Sequence, residues 1–70
     1  MIIKLTNANE VCKGEAIYIN ANLIVSFRRG RKKIDDPSSP QCTFVFIPPH
    51  GTWEVEELPE EIVKLIKKKL

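Results

Sequence analysis

The sequence has only two cysteines, one histidine, one tryptophan, one tyrosine and three glycines among its 70 residues, and each scarcity removes a class of function. Cys12, Cys42 and His50 are scattered along the chain. A zinc site wants about four ligands, usually in close pairs such as C-x-x-C, so no metal is predicted. In a cytosolic setting the two cysteines read as reduced thiols rather than a bridge. The single imidazole sits in Pro48-Pro49-His50-Gly51, a turn sequence, and reads as a solvated residue rather than a general base. There is no Gly-rich phosphate loop and no nucleophile motif. No apolar run approaches the roughly 18 to 20 residues that cross a bilayer, and Met1-Ile2-Ile3-Lys4-Leu5-Thr6 has neither a long apolar region nor a small-residue cleavage site. The expectation is a cytoplasmic protein that is not an enzyme, carries no cofactor, has no catalytic residue and does not engage a membrane.

What is present is the composition of an ordinary globular chain, 43% hydrophobic and 29% charged. Residues 1–70 read as a single domain near the lower size limit at which one hydrophobic core suffices, so a protein partner or self-association is expected. The chain is organised around Gly51-Thr52-Trp53-Glu54-Val55-Glu56-Glu57-Leu58-Pro59-Glu60-Glu61-Ile62-Val63-Lys64-Leu65-Ile66. Trp53 and Val55 alternate with Glu54 and Glu56, which predicts a strand with one buried face and points Trp53 into the core. Ile62, Val63, Leu65, Ile66 and Leu70 then recur at helical spacing. Pro59 suits a first helical turn, and Glu60 and Glu61 at one end with Lys67, Lys68 and Lys69 at the other complement the helix dipole over 59–69.

Upstream, Ile2-Ile3-Lys4-Leu5-Thr6 predicts a first strand, with Asn7-Ala8-Asn9-Glu10 as a turn and Val11-Cys12 as a short further pairing before Lys13-Gly14-Glu15 turns again. Ala16-Ile17-Tyr18-Ile19 predicts a second strand. Asn20 is placed to cap a single helical or 3₁₀ turn through its side-chain oxygen. Ile24 to Arg28 predicts a third strand and Cys42 to Ile47, apolar on both faces, a central fourth. The resulting fold class is α+β: a small, curved, mainly antiparallel sheet of four to five strands, barrel-like in its curvature, with one C-terminal helix packed across it.

The net charge of +2 conceals a bipolar chain. Arg28, Arg29, Arg31, Lys32 and Lys33 fall within six residues, and Glu54, Glu56, Glu57, Glu60 and Glu61 within eight. The stretch 29–41 is polar and basic, apolar only at Ile34, and predicts a flexible loop longer than a hairpin needs. Its basic end is the candidate partner-binding site. It suits an acidic protein surface, including the Glu54–Glu61 stretch of another copy, and nucleic acid is the alternative because the same cations can neutralise phosphates. The paired glutamates read as a solvated strand edge and helix N-terminus.

The order Ile3-Lys4-Leu5-Thr6, Ile17-Tyr18-Ile19-Asn20-Ala21-Asn22-Leu23-Ile24, Thr43 through Phe46, and Gly51-Thr52-Trp53-Glu54-Val55-Glu56-Glu57 with Pro59-Glu60-Glu61-Ile62 resembles the small FlbD-type flagellar and swarming-motility proteins. Residues 7–15 and 29–41 fall outside the resemblance. Where that family often has serine before the proline, Leu58 stands here. The resemblance implies a non-enzymatic accessory protein acting on a larger assembly, and no residue-level active site follows from it.

Overall fold

The structure is a computed structural model and describes residues 1–31 and 36–69. Among the described residues five strands and one α-helix are arranged as β1 (Ile2–Thr6), β2 (Ala16–Asn20), β3 (Ser26–Arg31), β4 (Gln41–Ile47), β5 (Gly51–Val55) and α1 (Pro59–Lys69). The chain is thus α+β, all its strand pairings are antiparallel, and its helix is C-terminal.

The predicted single sheet of four to five strands is corrected to two sheets, β1–β2 and β3–β4–β5. Among the described residues they meet at one bridge, Asn7 with Val55, flanked by Ala8 N–H to the Glu54 carbonyl and Glu56 N–H to the Thr6 carbonyl. Among the described residues no barrel closes. The reason is local. Just beyond the bridge, the Asn9 side chain accepts from the Val11 amide and starts a 3₁₀ turn at Glu10–Cys12, so β1 cannot run on along β5. The Val11-Cys12 pairing expected from the sequence is this turn instead. Gly14, at φ +89, then reverses the chain into β2.

The core lies between the sheets and the helix. Ile3 and Leu5 of β1, Ile19 of β2, Val45 and Ile47 of β4, Val55 of β5 and Ile62 of α1 form one buried cluster, with Ile17, Ile24, Phe27, Leu65 and Ile66 packed around it. Period-two alternation selects these residues in the strands and helical spacing selects those of α1. Each fully buried aliphatic contributes about 1.5–3 kcal/mol. Trp53 has the inward parity of Val45, its register partner. It is nevertheless 39% exposed, which corrects the expectation of a core tryptophan. It sits at the rim, beside a groove of about 240 Å³ lined by Ile17, Tyr18, Ile19, Ile47 and His50.

The joint between β5 and α1 holds the two sheets together. Glu57, half-buried, accepts from both the Thr6 amide and the Thr6 hydroxyl at 2.8 Å. Its carbonyl accepts from the hydroxyl of the buried Thr43 at 2.6 Å. One residue thereby ties the end of β1 to β4 and to the start of the helix. At that start the Glu61 carboxylate reaches back to the Leu58 amide at 3.5 Å, half of the reciprocal cap that a serine in place of Leu58 would complete.

Candidate functional site

The basic cluster lies on β3, and the structure moves its boundaries. Arg29, Gly30 and Arg31, expected to open a flexible loop, are the last three residues of the strand and pair with Thr43, Cys42 and Gln41. Lys32 and Lys33 lie outside the described residues. A free strand edge is where charged side chains are tolerated, and this explains how such a polar run holds extended structure.

Alternation divides the three described arginines between the two faces of the sheet. Arg28 is on the outer face, with its guanidinium carbon 5.1 Å from the centre of the Phe44 ring, the residue opposite it on β4. Gly30 makes room for that ring, since a Cβ there would lie 2.1 Å from Phe44 Cε2. Arg29 and Arg31 take the parity of Phe27, the helix side. Arg29 forms an ion pair with Glu60 of α1. The Glu60 carboxyl is held below the usual glutamate range, first by a hydrogen bond from its own backbone N–H and then by Arg29. Arg31 donates to the carbonyls of Pro37 and Ser39 at 3.0 and 3.2 Å. In the same turn Ser38 donates through its hydroxyl and its amide to Asp36, lowering the Asp36 pKa in that order of effect.

The arginines that sequence reading grouped as one patch are therefore three separate devices. Only Arg28 presents its charge on an open face, stacked on an aromatic ring in a geometry that favours a cation. Beside it the outer face carries Phe46, 42% exposed, opposite Ser26. Glu54 stands opposite Phe44 on the other flank. Sequence reading missed Phe44 and Phe46 as surface groups because a strand apolar on both faces looks central in a buried sheet. Here β4 is central, but its outer face is covered only at Cys42, with Phe44 half-buried and Phe46 exposed.

The other residues weighed for chemistry are dispersed. His50 is exposed in the β4–β5 turn. Cys42 is buried on β4 and Cys12 half-buried in the 3₁₀ turn, and no disulfide joins them. Among the described residues no three His, Cys, Asp or Glu side chains gather as metal ligands, and no helix is long and apolar enough to cross a membrane. A shallow polar recess of about 590 Å³ between Ala8, Lys13, Glu54 and the 36–40 turn includes Asp36 and Ser38, which already satisfy one another. No known protein family, curated protein or solved structure matches the chain.

Proposed function

We propose that this chain is a non-enzymatic protein–protein interaction module, a small accessory protein of the kind that the FlbD-type resemblance implies. The observation that supports it is the outer face of the three-stranded sheet, where Phe46 is exposed next to the Arg28–Phe44 stack. The matching partner presents an apolar side chain against Phe46 and a carboxylate against the guanidinium of Arg28. A planar guanidinium already spread on a ring loses little freedom when it takes a carboxylate in two parallel hydrogen bonds. Aromatic and arginine side chains are also the types that dominate binding energy at protein interfaces.

The alternative, nucleic-acid binding through Arg28–Lys33, is favoured less by this geometry. Arg29 is held by Glu60 and Arg31 by two carbonyls, so fewer cations remain to displace counterions from phosphates. Glu54 on the same face repels a polyanion.

The test is affinity capture of partners followed by titration of the purified partner against wild type, Phe46→Ser and Arg28→Gln. Phe46→Ser is expected to weaken binding at least tenfold, about 1.4 kcal/mol, with an unchanged unfolding midpoint. Equal affinity of all three proteins would reject this surface. Oligonucleotide binding that falls steeply with salt and disappears on neutralising Arg28, Arg29 and Arg31 would put the alternative first.

A further inference from the structure

We infer that β2 is a self-association edge, and that a second copy of this chain pairs with it antiparallel about a two-fold axis through Tyr18. The inference rests on backbone geometry away from the Arg28–Phe46 face and does not depend on the partner proposed for that face.

The pairing of β1 with β2 fixes which backbone groups are spent. The Asn7 amide donates to the Glu15 carbonyl and the Ala21 amide to the Met1 carbonyl. In an antiparallel ladder bonded pairs recur every second residue. Ile17 and Ile19, opposite Leu5 and Ile3, are therefore the residues bonded to β1. The amides of Ala16, Tyr18 and Asn20 and the carbonyls of Ala16 and Tyr18 point away from it. Within the described residues β2 has no second neighbouring strand. The strand reads Ala-Ile-Tyr-Ile-Asn, with no charge, no proline and no bulge to discourage addition of another strand.

A second copy satisfies this edge in a single register. Using the outward groups of Ala16, Tyr18 and Asn20 together requires Tyr18 opposite the partner's Tyr18 and Ala16 opposite the partner's Asn20. That register also sets Ile17 against the partner's Ile19 on the inner face and stacks the two tyrosines on the outer face, the kinds of apolar and aromatic cross-strand pairs that stabilise a sheet. No charged residue meets another across the seam. The strand is self-complementary, as a two-fold interface demands.

The surroundings point to the same occupant. The rim groove lies along this edge, lined by Ile17, Tyr18, Ile19, Ile47, His50 and Trp53. Tyr18 is 68% and Trp53 39% exposed, so two aromatic side chains along this edge are left uncovered by the chain's own core.

The test is the mass by light scattering, with Trp53 fluorescence, from about 5 μM to about 500 μM protein, a span covering Kd values typical of weak dimers. Wild type is expected to rise from the 8.0 kDa chain towards twice that mass, with Trp53 emission shifting to the blue as the groove is covered. Tyr18→Pro removes an amide that faces solvent in the monomer, a place where an edge strand accepts proline. Tyr18→Lys sets two like charges across the axis without touching the backbone. Both are expected to weaken association at least tenfold with unchanged circular dichroism, and Tyr18→Lys alone decides if the proline variant unfolds. Phe46→Ser, which disables the other surface, is expected to leave the mass curve as in wild type. A monomer mass throughout the range, or association undiminished in Tyr18→Lys, overturns the inference.

Discussion

The molecule has two outer strand edges and treats them differently. β3 carries Arg28, Arg29 and Arg31 along its length, while β2 at the other end of the strand order carries no charge at all. Charged side chains on an edge strand oppose the approach of another strand, and an uncharged edge invites it. Sequence composition draws attention to β3 as the adhesive region. The geometry reverses that emphasis: two of the three arginines are spent inside the chain, and β2 is the outer edge whose unpaired backbone has no charge to guard it. Charge density here marks where sheets are kept apart.

The comparison assumes that the two edges sit on one rigid body, and its largest test is the joint between the sheets. Beyond the Asn7–Val55 bridge, Glu57 is the polar tie between β1 and the strand-to-helix joint. Glu57→Ala removes a carboxylate that takes two hydrogen bonds and leaves the Thr6 amide unmatched. It is expected to lower the free energy of unfolding by about 2–3 kcal/mol, measured as a lower urea midpoint at constant slope. Exposed Glu56→Ala is the control and is expected to leave the midpoint in place. An equal effect of the two would mean that the sheets are held by the core alone.

A smaller effect sharpens the account of β3. If its arginines serve only as guards, all three are equivalent. The structure makes Arg31 different, because it anchors the 36–40 turn through the carbonyls of Pro37 and Ser39. Arg31→Ala is expected to cost about 1–2 kcal/mol and Arg28→Ala less than half of that, both from urea unfolding.

Glu57 and Arg31 also show where sequence reading stops. The alternation in β1, β2 and β5, the helix starting at Pro59 and the Asn20 cap of the 3₁₀ turn at Ala21–Leu23 were legible, because each depends on neighbours within a few residues. The end of β3 was not. Gly30 and its flanking arginines have loop composition, and only pairing with Gln41–Thr43 makes them a strand. Glu57 was read as one of several solvated glutamates, and its separate role depends on Thr6, which no periodicity connects to it. Trp53 alternates correctly but falls at a rim that local pattern cannot locate. Of the candidate site, the strand bearing Arg28 was legible, whereas the stack on Phe44 and the exposure of Phe46 required the register of β3 on β4.

The smallest expected effect concerns acid. Because the folded-state pKa of Glu60 is depressed, its contribution is present above the unfolded glutamate value and is lost as pH falls through the folded value. A carboxylate titration followed by NMR is expected to place Glu60 below an ordinary glutamate, and Arg29→Gln to raise it only partly, since the backbone bond at the helix start remains. No movement on Arg29→Gln would show that the ion pair does not form in solution.

The Thr6–Glu57 contact spans 51 residues of sequence. Chain entropy makes such a closure expensive until most of the intervening structure exists. The hairpin of β1 and β2 and the meander of β3, β4 and β5 each rest on nearer contacts and can form first. A late Thr6–Glu57 latch is the order expected from these separations, and the non-local pairing slows folding relative to a helical chain of equal length. In that order the β2 edge forms before the latch, so the strand proposed to join two finished copies would also be the one most exposed to a wrong neighbour while the chain is still incomplete.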